Sequence, residues 1–376
     1  MVDGLLQGSM AVESDVDETR VVLVQSNLAR YGSNMAAFTI APTLECNFRC
    51  PYCYEVGKRY NTMTEEVIEN TIKFINEQSK DMAKISIAWY GGEPLLRIDL
   101  IEKITQGIEN VEKYSANIVT NGYYLTEENA KKLKELHVKY AQVTIDGPPD
   151  IHNTRRCLPT GADTFFVIME NIRKAAEHIF IAIRINVDKT NMQRVDEILD
   201  YLIEYGLQDK VGVYLAPVDS INDGCHAPSC FTDSEFATEQ INFAARNMKR
   251  GFNFLELPHF NPAMCGAVSP HSYVIDPLGD LYKCWDHIGY KEESFGNIAD
   301  ENINVKQSNY LKWIDYDVFQ YEDCKGCNIL PICMGGCPFK NIKKGEMQCG
   351  ATKYNATDMM RLLREMTEMY INKECG

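Results

Sequence analysis

The residues best able to do chemistry in this chain are cysteines, and three stand together in Cys46-Asn-Phe-Arg-Cys50-Pro-Tyr-Cys53. Spacings of three and two residues let three thiolates converge from one short loop on a single metal centre. A four-iron cluster held by three thiolates keeps one iron for another partner. Such a position is where chemistry occurs, as at the open site of a catalytic zinc. A zinc knuckle is the other reading of the loop. Fourteen cysteines gather in two fields separated by a cysteine-poor middle, which suits metal ligation in a reducing compartment better than a disulfide scaffold.

The elements that must position this loop follow a regular rhythm. Short β-rich runs at 38–44, 84–90, 116–120, 140–145, 179–187 and 211–218 alternate with stretches of helical period at 63–79, 98–112, 126–136, 165–177, 191–205 and 233–250. Strand and helix alternating six times predict a parallel sheet with helices outside. Six units are too few for the usual eight-stranded closure, so the expected fold is α/β, a partial (β/α)6 TIM-like barrel. Its active site belongs at the strand C-terminal ends. The candidate residues fall there. Cys46, Cys50 and Cys53 follow the first strand and Gly91-Gly92-Glu93-Pro94 the second; Asn121 ends the third, Thr144 the fourth, and Arg184 lies late in the fifth. Adjacent glycines allow close backbone approach to a ligand, and a glutamate can accept from an ammonium group.

The Cx3Cx2C loop, with Tyr52 directly before its third cysteine, resembles that of the radical S-adenosylmethionine (SAM) enzymes, and the GGEP run one strand later resembles their SAM-amino-binding segment. The resemblance implies a [4Fe-4S] cluster on Cys46, Cys50 and Cys53 whose open iron chelates SAM and whose electron cleaves it to a 5'-deoxyadenosyl radical. It further implies SAM contacts at Tyr52, Gly91, Gly92, Glu93, Asn121 and Thr144, and at Arg184 as a guanidinium for the SAM carboxylate. Residues 144–156 also look like the family, with a Thr before the Asp146-Gly147 turn and His152, Arg155 and Arg156 after it. Without the resemblance, the turn is an ordinary tight turn and the two arginines make surface pairs.

The second cysteine field starts at Cys265, then runs through Gly279 and Cys284 to Cys324-x2-Cys327-x5-Cys333-x3-Cys337 and Cys349. The intervening SYVIDPLGDLYKCW reads as a hairpin that brings Cys265 near Cys284. The spacing resembles the SPASM domain, a C-terminal extension of radical SAM enzymes that holds two auxiliary four-iron clusters, and the two resemblances together cover residues 38–355. Carried over, Cys265, Cys284 and Cys337 hold the first auxiliary cluster, and Cys324, Cys327, Cys333 and Cys349 the second. The implied cofactors are three [4Fe-4S] clusters and SAM. Ten ligands are present where full auxiliary ligation needs eleven, which leaves an iron of the first auxiliary cluster open to a substrate thiolate unless Cys225, Cys230, Cys157 or another side chain closes it.

Division of the chain follows from this. Residues 1–37 read as an arm or short hairpin, 38–250 as the barrel, 251–264 as a connector, 265–355 as the cysteine-rich domain and 356–376 as a C-terminal helix. A net charge of -15 disfavours a nucleic-acid partner. The absence of a long apolar run or signal peptide argues against a membrane and for the cytoplasm. Oxygen-sensitive clusters imply an anaerobic source. Two branches of the SPASM proteins fit this length. One forms crosslinks such as thioethers in ribosomally made peptides; the other matures sulfatases by making formylglycine, using an aspartate directly after the second SPASM cysteine as base. Here Trp285 follows Cys284 and the aspartate comes one later, as Asp286, so the expected activity is peptide maturation, with sulfatase maturation as the alternative. A non-catalytic iron-sulfur or zinc scaffold is a third reading. The expected partners are a peptide or protein substrate and a reductant such as flavodoxin or ferredoxin.

Overall fold

The computed structural model describes residues 12–53, 61–219, 225, 228–254 and 259–374. Seven strands lie side by side in chain order and all parallel: β1 (Met35–Ile40), β2 (Lys84–Trp89), β3 (Tyr114–Thr120), β4 (Val138–Thr144), β5 (Phe180–Val187), β6 (Val211–Pro217) and the short β7 (Asn253–Phe254). The helices are α1 (Glu18–Tyr31) before the first strand, then α2 (Glu65–Ser79), α3 (Ile98–Gln106), α4 (Glu127–Glu135), α5 (Pro149–Arg155), α6 (Phe165–Ala175), α7 (Asp196–Glu204) and α8 (Asp233–Lys249). This is the α/β partial barrel expected from the rhythm.

Local chemistry accounts for the boundaries. Thr64 caps α2 by accepting from the N–H of Val67, with Glu65 and Glu66 in the first turn. Thr232 and Glu235 form a reciprocal capping box on α8. Along β3, Tyr114, Ala116, Ile118 and Thr120 are buried while the residues between them are half-buried. Ile40, Ile87, Trp89, Ile118, Val143 and Ile183 belong to one core.

The expected hairpin of the cysteine-rich segment continues this sheet. β8 (Ser272–Ile275) runs parallel to β1, from Ala37 opposite Ser272 to Ile40 opposite Ile275. Antiparallel β9 (Asp280–Tyr282) and β10 (Gly296–Asn297) complete a ten-stranded sheet. The expected hairpin turn is present. Asp276 Oδ1 accepts from the N–H groups of Leu278 and Asp280, both at 2.9 Å, and Gly279 takes φ +78°, where a side chain is strained. Beyond it lie α9 (Ser308–Ile314), α10 (Glu322–Lys325), α11 (Leu330–Cys333), α12 (Pro338–Lys344) and α13 (Thr352–Glu374). A second core of Val268, Trp313, Val318, Leu330 and Phe339 sits among them. α13 leans on α8, where Asn355 Nδ2 donates to Gln240 Oε1 at 2.7 Å.

The arm or hairpin expected for 1–37 is corrected. Residues 1–11 lie outside the described part, and residues 18–31 form a helix capped by Asp17. The valine-rich run at 21–24 suggests a strand by propensity, yet tertiary packing overrides it. Val22 and Leu23 pack on the second core, and the Arg30 guanidinium, 3% exposed, donates to the carbonyls of Val268 and Ile314. Of the expected connector, 251–254 contain β7 and 255–258 fall outside the described residues. Among the described residues no helix is long and apolar enough to cross a membrane.

Candidate active site

The loop bearing Cys46, Cys50 and Cys53 leaves the C-terminal end of β1 and is shaped by the glycine-rich turn after β2. The N–H of Gly92 donates to Thr43 O at 3.1 Å and that of Glu93 to Glu45 O at 2.9 Å. A Cβ on Gly91 would stand 2.3 Å from Thr43 O, and one on Gly92 would stand 2.4 Å from Glu45 O. These glycines therefore admit the backbone of the cysteine loop itself.

Glu93, expected as an acceptor for an ammonium group, has partners within the fold. It is completely buried, and its carboxylate accepts from the Thr120 hydroxyl at 2.7 Å, the Asn121 N–H at 2.7 Å and the Leu95 N–H at 3.0 Å. It ties the turn after β2 to the end of β3. Burial pushes its pKa up, against the pull of the Asn121, Thr120 and Leu95 donors. Asn121 in turn donates to Asn47 Oδ1 at 2.8 Å and approaches Cys46 Sγ at 3.9 Å. Burial, opposed by the Phe48 N–H and reinforced by Glu93, Cys50 and Cys53, pushes the Cys46 thiol up to about 12. The three thiols of the loop thus act on one another.

Facing the loop, the ends of β4 and β5 carry a buried polar network. Tyr52 donates its hydroxyl to Asp146 Oδ2 and accepts from Arg156 at 2.8 Å, while Arg155 lies over its ring at 5.0 Å. Arg155 also bonds Asp146 at 3.3 Å and Asp188 at 2.8 Å. The surface-pair reading of these arginines is corrected, since Arg156 is 8% exposed and Asp146 fully buried. Signals for this network were the short distance from the Asp-Gly turn to the two arginines and the aromatic inside the cysteine loop. Spacing gives no direction for those side chains. Thr144 is buried at the end of β4, opposite Arg184 on β5. Arg184 Nε donates to Asn186 Oδ1 at 2.8 Å, and among the described residues no carboxylate lies within ion-pair distance of it.

The second cysteine field resolves into two neighbourhoods. Cys265, Cys284 and Cys337 act electrostatically on one another, with Asp286 beside them. Cys324, Cys327, Cys333 and Cys349 form the other, and Lys353 donates to Cys327 Sγ at 2.9 Å. Lys353 was missed in the sequence, where only its place four residues after Cys349 marks it. Cys225 and Cys230, the expected candidates to complete the first neighbourhood, are joined to each other. Cys157 stands near Cys50, where its carbonyl accepts from the Arg49 N–H. Among the described residues no three His, Cys, Asp or Glu side chains are close enough to grip one bare ion. All-thiol sets of three, three and four are the donors an iron-sulfur cluster takes.

A cavity of about 460 Å³ lined by His137, Val138, Phe180 and Lys210 lies at the opposite, N-terminal ends of the strands, away from every candidate residue.

Residues 40–202 match the family model described as the Radical SAM superfamily. The serine-type anaerobic sulfatase-maturating enzyme of Bacteroides thetaiotaomicron is 26% identical over 359 residues, spanning 80% of this chain and 82% of that protein. A solved structure described as native anSMEcpe with bound AdoMet has a TM-score of 0.70 at 19% identity, over 90% of this chain and 99% of that one. Streptococcus suis SuiB bound to precursor peptide SuiA has a TM-score of 0.62 at 15% identity, over 93% and 85%. The two structural likenesses establish a shared fold. The match to the Radical SAM family model takes in residues 40–202, the segment that carries the cysteine loop at the end of β1 and the next four strands of the parallel sheet.

Proposed function

We propose that this enzyme modifies a side chain of a peptide or protein, with crosslinking of a ribosomally made peptide, such as thioether formation, as its reaction. The observation that carries the reading is the framed loop of Cys46, Cys50 and Cys53 at the strand C-terminal ends, accompanied by two further thiol groups. Three [4Fe-4S] clusters fit these groups: one on the loop, one with Cys265, Cys284 and Cys337, and one with Cys324, Cys327, Cys333 and Cys349. When bound, the loop cluster and SAM supply a 5'-deoxyadenosyl radical able to take a hydrogen atom from the substrate. Arg184 receives the SAM carboxylate, and Thr144, Asn121, Tyr52 and the backbone of Gly91 and Gly92 line the SAM site. Glu93 acts one step back, by fixing Asn121 and the cysteine loop. The buried Asp146, Arg155 and Arg156 network holds Tyr52 in place. Holding reactants in place and keeping water away is the protein's share of cofactor chemistry. A flavodoxin or ferredoxin supplies the electron, in the cytoplasm.

The test is anaerobic reconstitution followed by dithionite and SAM, with 5'-deoxyadenosine read by mass spectrometry. Product is expected from the wild type and none from the variant with Cys46, Cys50 and Cys53 changed to Ala. No product at full iron loading would overturn the reading.

A second reading, formylglycine formation in a sulfatase, is supported by the similarity to the sulfatase-maturating enzyme and by Asp286 Oδ2 lying 3.5 Å from Cys284 Sγ. Peptides from neighbouring genes and from sulfatase active sites separate the two. A product that loses two hydrogens and gives no adduct with a carbonyl reagent supports the crosslink, whereas a hydrazine adduct supports formylglycine.

A further inference from the structure

Among the described residues, the thiol group of Cys265, Cys284 and Cys337 has no fourth cysteine. Cys225 and Cys230 are joined to each other, and Cys157 belongs to the neighbourhood of Cys50. What stands beside the three thiols is a carboxylate. Cys284 Sγ lies 3.5 Å from Asp286 Oδ2, and the charge of Asp286 acts on Cys265 and Cys337 too.

The contact with Cys284 is that of a thiol donating to a carboxylate. Metal binding requires the thiol to give up that proton, which leaves two anions face to face. They repel unless cations stand beside both, and two neighbouring irons of one cluster, one on Cys284 and one left without a thiolate, meet that need. Local backbone keeps the pair together. Cys284 precedes a single tight turn at Trp285–His287, closed by the His287 N–H on Cys284 O at 3.1 Å. Asp286 sits within that turn, and carboxylate oxygen is an established iron donor.

We propose that Asp286 is the fourth donor of the first auxiliary site, closing with Cys265, Cys284 and Cys337 the iron that three thiols leave open. The proposal rests on the reading of those cysteines as cluster ligands. It deepens that reading in one respect: a closed site takes no substrate thiolate and is left to pass electrons. It also assigns Asp286 a role other than proton base.

The full-length chain with Cys46, Cys50 and Cys53 changed to Ala isolates the auxiliary sites, and two four-iron clusters give about eight irons per chain. Electron paramagnetic resonance of the reduced protein is recorded with and without free L-cysteine as the probe. No change on adding L-cysteine is expected in this background and in the added Asp286→Cys variant. Asp286→Ala is expected either to show a shifted signal with L-cysteine or to fall to about four irons while keeping its far-ultraviolet circular dichroism. If Asp286→Ala unfolds, the shape-preserving Asp286→Asn gives the same comparison. His271, six residues after Cys265 and bonded through its carbonyl to the Ala37 N–H at 2.9 Å, offers the other nearby donor side chain, and His271→Ala is the control, expected to leave iron content and spectrum unaltered. A wild-type auxiliary signal that already shifts with L-cysteine, or an Asp286→Ala protein with full iron and no response, overturns the assignment of Asp286. About four irons in the starting background overturns the two-cluster reading and the proposal with it.

Discussion

The loop of Cys46, Cys50 and Cys53 owes its shape to strands far along the chain, whereas the thiols between Cys324 and Cys349 are shaped largely by turns next to them. In the first case the frame is the Gly91–Glu93 backbone, the Glu93 carboxylate and Asn121. In the second, the N–H of Cys324 donates to Tyr321 O, that of Cys327 to Cys324 O, that of Cys333 to Ile329 O and that of Gly336 to Cys333 O. Both regions gather thiols that repel one another as anions. The difference is where damage travels. Residues outside the first motif can silence it, while the second depends on its own few turns and on Lys353.

The strongest way to break this contrast is Gly92→Ala. Its Cβ has no room against Glu45 O and Leu44 O, so the loop must move. The expected outcome is loss of 5'-deoxyadenosine formation with iron falling from about twelve to about eight per chain, the auxiliary clusters surviving; loss of all iron would remove the distinction. Next comes Glu93→Ala, which strips the partner from three buried donors. At about 1–3 kcal/mol for each unmet group, unfolding in urea should register at least about 3 kcal/mol of destabilisation.

The hairpin where the two regions meet gives a pH test. Burial, helped by Asp280 and opposed by backbone donors, raises the pKa of Asp276 from 3.8 to about 6. The folded state therefore keeps a proton that the unfolded state releases, so stability falls as pH rises from about 4 to 6. Asp276→Asn cancels that slope. The wild-type minus variant difference in unfolding free energy should decline by about 2–3 kcal/mol across the window.

Arg184→Ala probes the radical side without touching its frame. Loss of a charge-assisted bond should weaken SAM binding by about tenfold to a hundredfold, with thermal stability unchanged. The smallest effect is expected at the other pole, from Lys353→Met. Hydrogen bonds to cluster sulfurs help set the potential, so redox titration should show one auxiliary signal moved to lower potential while SAM cleavage proceeds at the wild-type rate.

Period and spacing made the strands, most helices, the hairpin turn and the cysteine groups legible, because each is written in neighbouring residues. Side-chain direction was not. Glu93 had the right chemistry for a ligand contact, but its bonds to Thr120 and Asn121, made across two strand ends, are not written in the spacing. Arg155 and Arg156 read as surface charges until the fold enclosed them around Tyr52 and Asp146. α1 was hidden because a valine-rich run is helical here only by virtue of Val268, Trp313 and Ile314, which lie far along the chain.

β1 lies between β2 and β8, so one of its two sides is closed by residues that a ribosome makes long after it. Until residues 272–275 emerge, the strand that leads into the catalytic loop has a bare edge of N–H and C=O groups, and such edges invite pairing with other chains. The barrel therefore has no complete sheet to offer an iron donor during most of its synthesis. Completion of the strand next to the first cysteine waits, by topology, on residues 272–275.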